Sequence, residues 1–290
     1  LKVLLTGAGG QLGRCLRDRK PAHWDLISLA RVDLDIRDGS AVSSMVDRIR
    51  PDCIINAAAY TAVDQAECDP DEAMAVNEQG AGHLARAAFD KGVRLVHVST
   101  DYVFDGRASR PYTEIDAAGP INIYGHSKLR GEHAALQACP SGLVLRTSWL
   151  YSEYGSNFVK TMLRMARTVD SDAQPLRVVN DQFGCPTYAG DLADAVIRLV
   201  QAGSWAQGIY HYCGADILSW HEFAQRIFEC AAELDPSFRT TRLLGIPASD
   251  YPSLADRPAY SALSCDKIEA LGIRRASLRD ALPGAIARLI

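Results

Sequence analysis

Apolar residues along this chain alternate between two rhythms. Short unbroken runs such as Val3-Leu4-Leu5, Cys53-Ile54-Ile55 and Leu143-Val144-Leu145 read as strands covered on both faces, where no polar alternation is needed. Between them, apolar residues return every three or four positions, which gathers them on one side of a helix. The runs predict strands at 2–6, 25–30, 53–56, 94–99 and 143–150, with a shorter one at 33–36. The helical spacing predicts one helix ending near 19 and others at 39–50, 70–91 and 121–138. Punctuation agrees for the third of these: Pro70 opens it and Gly92 stands just past its end. Strands alternating with helices of this length predict an α/β fold built on a doubly wound parallel sheet.

After about residue 150 the alternation loosens. Helices are predicted at 157–169, at 191–202 with Asp191 as N-cap, and at 219–233, 264–271 and 277–290. Strands are predicted at 177–179 and 208–213, and residues 247–260, rich in Pro, Ser and Asp, read as an irregular loop. Residues 1–150 are therefore expected to form the sheet domain, with segments of the later chain returning to it, and 151–290 a smaller α/β region.

Bulk properties narrow the function classes. The 290 residues are 48% hydrophobic and 23% charged, an ordinary globular composition, and the net charge of −4 with no basic patch predicts no nucleic-acid partner. No apolar run approaches the ~20 residues that span a bilayer. No signal-peptide pattern is read either, so a cytoplasmic protein without a membrane partner is expected. The eight cysteines are scattered with no Cys-x-x-Cys, and the seven histidines show no His-x-x-x-His. They are read as reduced, mostly buried thiols and as no metal site.

The chemistry begins at Gly7-Ala8-Gly9-Gly10-Gln11-Leu12-Gly13, directly after the first strand and before the first helix. Gly7, Gly10 and Gly13 in that context bring backbone N–H groups and a helix N-terminus against a pyrophosphate. The sheet is therefore expected to be Rossmann-like and to bind a dinucleotide. The second strand ends at Ala30-Arg31, where a basic residue accommodates a 2′-phosphate; this leans towards NADPH, with NADH as the alternative and a solvated Arg31 as the bland reading. Asp35 and Ile36 follow, where the next strand end would border the adenine. Ala57, Ala58 and Ala59, then Tyr60 and Thr61, follow the 53–56 strand. Their small side chains suit close cofactor approach or, alternatively, a tight strand-to-helix crossing. Thr100 sits at the carboxyl end of its strand, where open α/β sheets place ligands. Its hydroxyl reads as a donor to a substrate carbonyl or as a turn cap.

Tyr124 and Lys128 lie four apart in a predicted helix and so share a face. An ammonium beside a phenol favours the phenolate, which would lower the Tyr124 pKa and suit it to general acid catalysis. The bland reading is a surface tyrosine beside a solvated lysine.

With Gly7-x-x-Gly10-x-x-Gly13, Asn56-Ala57-Ala58-Ala59, Ser99-Thr100-Asp101 and Tyr124-x-x-x-Lys128 in this order, the chain resembles the extended short-chain dehydrogenase/reductases. Gly10 to Gly13, Asn56 to Val63, Ser99 to Gly106, Arg146-Thr147-Ser148-Trp149, Asn180-Asp181-Gln182 and Arg257-Pro258 further resemble the dTDP-4-dehydrorhamnose reductases, over nearly the whole chain. The resemblance implies hydride transfer from NAD(P)H to C4 of dTDP-4-dehydro-L-rhamnose. It implies Tyr124 as proton donor, Lys128 as the residue that lowers the Tyr124 pKa and binds the nicotinamide ribose, and Thr100 as the group polarising the carbonyl. It implies Gly10, Gln11 and Leu12 at the pyrophosphate, Asp35 and Ile36 at the adenine, and Ala59, Tyr60 and Thr61 at the cofactor's inner portion. Substrate contacts would fall to Asp101 and Trp149, then to Val63, Tyr102, Phe104, Asn180 and Arg257, the last meeting the diphosphate. Related sugar-nucleotide dehydratases resemble Thr-Asp-Glu where this chain has Thr100-Asp101-Tyr102, so the base for water elimination is missing.

Some bacterial members resemble magnesium-bridged dimers with acidic residues at places occupied here by Cys15 and Gly190, so a monomer or another homodimer is expected. Two competing readings stand beside the reductase. One is a 4-ketoreductase for a different dTDP-deoxysugar. The other is a nucleotide-binding regulatory subunit of a methionine adenosyltransferase, which resembles this fold without the turnover.

Overall fold

The computed structural model of the chain describes residues 1–168, 175–240 and 242–290. It opens with β1 (Lys2–Thr6), α1 (Gln11–Arg19), β2 (Asp25–Leu29), α2 (Gly39–Ile49) and β3 (Cys53–Asn56). Next come α3 (Val63–Cys68), α4 (Pro70–Met74), α5 (Ala81–Asp90), β4 (Arg94–Thr100), α6 (Ile123–Ala138) and β5 (Leu143–Thr147). The later chain supplies β6 (Leu150–Tyr151), α7 (Phe158–Thr168), β7 (Leu176–Val179), β8 (Phe183–Gly184), β9 (Thr187–Tyr188), α8 (Ala189–Gln201) and β10 (Gly208–His211). It closes with β11 (Leu218–Ser219), α9 (Trp220–Leu234), β12 (Leu243–Ile246), α10 (Asp266–Glu269) and α11 (Leu278–Ile286).

Six strands form one parallel sheet in the order β10-β5-β4-β3-β1-β2. Its apolar runs are explained by burial on both faces. Val3 and Leu5 point to one core with Leu12 and Leu16 of α1 and Leu192 and Val196 of α8. Leu4, between them, points to the other, with Val42 of α2, Leu84 of α5 and Ala135 of α6. A third core, around Tyr151, Phe223, Ile227 and Leu282, belongs to the later chain. The parallel register sets Thr6 beside Asn56 and Thr100 beside Thr147, so the carboxyl strand ends share one edge.

Several expected boundaries differ. Residues 33–36 form turns, not a strand. Asp33 accepts from Ala30 N–H while the Asp33 and Leu34 N–H groups return to the Ala30 carbonyl, which uses the groups a sheet would need. The strand expected over 143–150 breaks after Thr147, because Trp149 adopts φ +44, a left-handed conformation that a strand cannot carry. The helix expected over 70–91 is continuous but contains a π turn, Ala75–Gly80. Asp191 lies in the first turn of α8, whose N-cap is Tyr188. Strand β12, paired parallel with β7, and helix α3 were not expected. The closing helices are shorter than predicted, at Asp266–Glu269 and Leu278–Ile286, and Val169 lies outside the described residues.

Candidate active site

A cavity of 810 Å³ runs along the carboxyl edge of the sheet. At its centre is the β1–α1 turn. Gly7 has φ +72, and a Cβ there would lie 2.5 Å from the Ala57 and Ala58 backbones. A Cβ at Gly13 would lie 2.3 Å from the Gly7 carbonyl oxygen. Both positions therefore exclude any side chain, and Gly13 acts by packing the helix, not by lining the cavity. Helix α1 has no side-chain cap at Gly10, so its first N–H groups face the cavity end as ready anion donors. Gly7, Gly10, Gln11 and Leu12 line this part.

One end of the cavity is lined by Arg31, Asp35 and Ile36. Its charges are interlocked. Arg31 meets Glu72 at 3.0 Å, and Arg37 meets Asp35 at 2.5 Å and Glu72 at 2.6 Å. The Arg37 guanidinium holds the Asp35 carboxyl down at about 2. Arg37 and Glu72 were missed from the sequence, since nothing local marks a partner thirty-five residues away. Along the wall, Ala57 to Thr61 and Val63 line the cavity. Asn56 holds the start of this segment, accepting from Thr6 Oγ1 at 2.8 Å and Ala58 N–H at 3.1 Å. Asn77, carried by the π turn, clamps Tyr60 by accepting from its N–H at 2.8 Å and donating to its carbonyl at 3.0 Å.

Thr100, Asp101, Tyr124, Lys128 and Trp149 meet at the other end. Helix α6 is fixed there by its N-cap: Asn122 accepts from Gly125 N–H at 2.7 Å and donates to the Asp256 carbonyl at 2.7 Å. Two glycines let it approach closely, since a Cβ at Gly125 would meet the Tyr102 carbonyl oxygen at 2.2 Å and one at Gly131 the Asn77 carbonyl oxygen at 2.0 Å. Tyr102 itself does not line the cavity; its ring stands edge-on to Tyr124 with centroids 5.7 Å apart.

The electrostatics correct one expectation. The expected lowering of the Tyr124 pKa is not found here: burial pushes the phenol up to about 12, with the Thr100 hydroxyl opposing the rise and Asp101 adding to it. The Lys128 ammonium is turned to the Val98 carbonyl at 2.7 Å, and burial brings it down to about 8 against the pull of Glu132. Beneath it, Glu132 accepts from Ser99 Oγ at 2.6 Å and from both ends of the Arg146 guanidinium at 2.8 and 2.7 Å, in a fully buried ion pair. Glu132 stands one helical turn beyond Lys128, a spacing visible in the sequence but not used.

Trp149 stacks on Trp220 with centroids 3.4 Å apart, and both line the cavity. Trp220 was missed because the first residue of a helix carries no such signal. It also borders a second cavity of 560 Å³, lined by Phe158, Met162, Arg177, Tyr251 and Arg257 among others. Arg257 is tethered to Asp64 at 2.7 Å. Besides Tyr102, two expected substrate contacts are not brought to either cavity. Phe104 is wholly buried, stacked on Tyr112 at 4.1 Å, because its side of the turn faces the core. Asn180 is exposed and packs against Gly245 instead.

A family described as the RmlD substrate binding domain matches residues 1–290. A dTDP-4-dehydrorhamnose reductase of Sinorhizobium fredii is 44% identical over 94% of this chain and 93% of its own. The chain belongs to the dTDP-4-dehydrorhamnose reductase family. The crystal structure of a Clostridium acetobutylicum member superposes with a TM-score of 0.93 at 36% identity, covering 100% of this chain and 99% of that one. A Bacillus anthracis member, solved in complex with NADP, gives 0.89 at 36% identity over 99% and 98%. Membership makes the chain an NAD(P)H-dependent oxidoreductase with a Rossmann-like fold.

Cys15 and Gly190, the places where the resemblance implies acidic residues in magnesium-bridged members, are both buried. Cys15 is buried, and its thiol is pushed up to about 12. A Cβ on Gly190 would meet the Tyr188 ring at 2.4 Å and the Arg19 guanidinium at 2.7 Å. Among the described residues no three His, Cys, Asp or Glu side chains form a metal-ligating group, and no helix is long and apolar enough to cross a membrane.

Proposed function

We propose that the chain reduces the C4 ketone of dTDP-4-dehydro-L-rhamnose to dTDP-L-rhamnose with NADPH. The observation that carries this is the meeting of Thr100, Tyr124 and Lys128 at one end of a cleft whose middle is the uncapped α1 N-terminus. The residues fit the cofactor: Gly7 and Gly13 admit no side chain, and the free N–H groups suit a pyrophosphate. The nicotinamide supplies the hydride when bound. Tyr124, protonated at every physiological pH by virtue of its raised pKa, holds the proton that the new alkoxide takes. Thr100 donates to the carbonyl oxygen. Lys128 would hold the nicotinamide ribose hydroxyls and its charge would steady the anion that forms at Tyr124.

Arg31, which lines the cavity, would meet the adenosine 2′-phosphate, while Arg37 lies behind it and pairs with Asp35 and Glu72, the acid that also holds Arg31. Trp149 contacts the sugar, Asp101 and Val63 lie beside it, and Arg257 with Arg177 at the 560 Å³ cavity meets the diphosphate end. Residues 1–150 thus hold the cofactor and 151–290 mainly the substrate, in the cytoplasm. The Tyr102 ring, placed where a dehydratase would need a carboxylate, supports reduction without elimination.

The test is NADPH and NADH oxidation, followed at the nicotinamide absorbance, with dTDP-4-dehydro-L-rhamnose generated in situ. Oxidation that depends on the sugar and is lost in Tyr124→Phe is expected. Tight cofactor binding without oxidation would overturn this substrate and favour another ketosugar or a regulatory role.

A further inference from the structure

Thr100 has one hydroxyl proton and more than one claimant for it. In the structure Thr100 Oγ1 accepts from Tyr102 N–H at 3.2 Å and directs its proton to Asp101 Oδ1 at 3.1 Å. A hydroxyl donates only once, so a proton given to Asp101 is withheld from a substrate carbonyl. An ionised carboxylate would win that contest, since charge-assisted hydrogen bonds are about twice as strong as neutral ones. Yet the Asp101 site is poorly made for an anion. The residue is 2% exposed, and its Oδ2 has no hydrogen-bond partner among the described residues. Leaving a carboxylate oxygen buried and unpaired is costly, and a neutral acid avoids that cost.

We propose that Asp101 works as a neutral carboxylic acid, donating its own hydrogen bond to Thr100 and so freeing the Thr100 proton for the substrate ketone. Asp101 is then a positioning residue acting through Thr100, and this rests on the reductase reading above. Oγ1 accepts from Tyr102 N–H and from the acid, and its single proton is left for the cavity, where the Tyr124 phenol also stands beside it. The surroundings agree. Burial brings the Asp101 carboxyl up to about 7, only partly opposed by the Thr100 hydroxyl, the local backbone amides and the nearby Ser261 hydroxyl, whose proton goes to the Phe183 carbonyl and leaves Oδ2 unpaired. Tyr102 and Tyr124 face it as neutral phenols, and Cys185 as a buried sulfur. The two cations nearby are engaged elsewhere: Lys128 with the Val98 carbonyl and Arg257 with Asp64.

The experiment is the pH dependence of kcat/KM for sugar-dependent NADPH oxidation in the wild type and in Asp101→Asn, whose amide donates at every pH. The wild-type rate should bend downward near pH 7 as Asp101 ionises, and more steeply past about 8 as Lys128 loses its proton. Asp101→Asn should turn over more slowly at low pH but lose the first bend, keeping only the limb near 8. The same two-step limb in the variant, or no bend near 7 in the wild type, overturns the proposal while leaving the reductase intact. A wild type without sugar-dependent oxidation at any pH overturns the reductase reading instead. A second measurement holds in either case and if the variant fails to fold: the carboxyl ¹³C shift of Asp101 in labelled wild-type protein. It should titrate near neutrality; a carboxyl fully ionised by about pH 5, as an ordinary aspartate is, would overturn the proposal.

Discussion

At the Arg31 end of the cleft, charged side chains stand partly in water, with Arg31 at 65% and Arg37 at 33% exposure. At the Tyr124 end, Asp101 and Lys128 are each 2% exposed. Under the proposed function the first end would bind through exchangeable ion pairs, each worth little net energy and screened by salt. The second relies on groups whose protonation is set by burial and cannot rearrange cheaply. On that reading one continuous cleft would combine an adaptable grip on the far part of a cofactor with a fixed constellation at the reacting bond. The exposed end should tolerate substitution better than the buried one.

The contrast can be broken most sharply at Tyr124. Tyr124→Phe keeps the ring and removes the acid, so kcat should fall by the ~10²–10⁴-fold of general acid catalysis with cofactor affinity retained. A near-normal kcat in single-turnover measurement would refute its role. The next largest effect is expected at Glu132→Leu, which strands the Arg146 guanidinium in the core. Breaking a buried ion pair costs about 3–5 kcal/mol, readable as a lower urea midpoint. A midpoint within error of the wild type would show that the pair is not holding the platform.

Asp101→Asn sharpens the comparison through stability. The folded carboxyl, at about 7 against an ordinary 3.8, holds a proton where the unfolded chain has released it. Stability therefore falls as pH rises across that window, and the penalty is complete above 7. The variant should melt above the wild type at pH 8 and approach it in acid; a constant offset would contradict the buried acid. The smallest effects belong to the exposed end. Arg31→Ala should raise the KM for NADPH only a few-fold and spare NADH, with the difference fading at high salt. A loss of both cofactors alike would move Arg31 from phosphate recognition to structure.

Much of this was legible along the chain. The runs at Val3-Leu4-Leu5 and Cys53-Ile54-Ile55 announced a sheet buried on both faces, and Gly7 and Gly13 stand where no Cβ fits. The Tyr124 and Lys128 spacing brought both residues to the cavity. What local pattern could not supply was the partner chosen by each group. Lys128 was expected to act on Tyr124 because the two share a helical face, but the Val98 carbonyl comes from a strand thirty residues earlier and captures the ammonium. Trp149 was placed in a strand because its neighbours are apolar. Its left-handed backbone, a strain of about 1–3 kcal/mol, is sustained by stacking on Trp220 and by Gly184, where a Cβ would collide with the indole. Glu72 and Arg37 likewise meet only through tertiary folding.

Strand β10 has a consequence for how the molecule is made. The outer neighbour of β5 is drawn from residues 208–211, after α7, β7 and α8 have been synthesised. Until then β5, which brings Thr147 to the cleft, is an open edge with an apolar run exposed to other nascent chains. The joint is then sealed from elsewhere, with His211 N–H donating to Glu114 at 3.0 Å and Tyr112 N–H to the Ala262 carbonyl at 2.8 Å. Such long-range closure is expected to be the slow part of folding, with the β1, β2 and β3 strands able to assemble first.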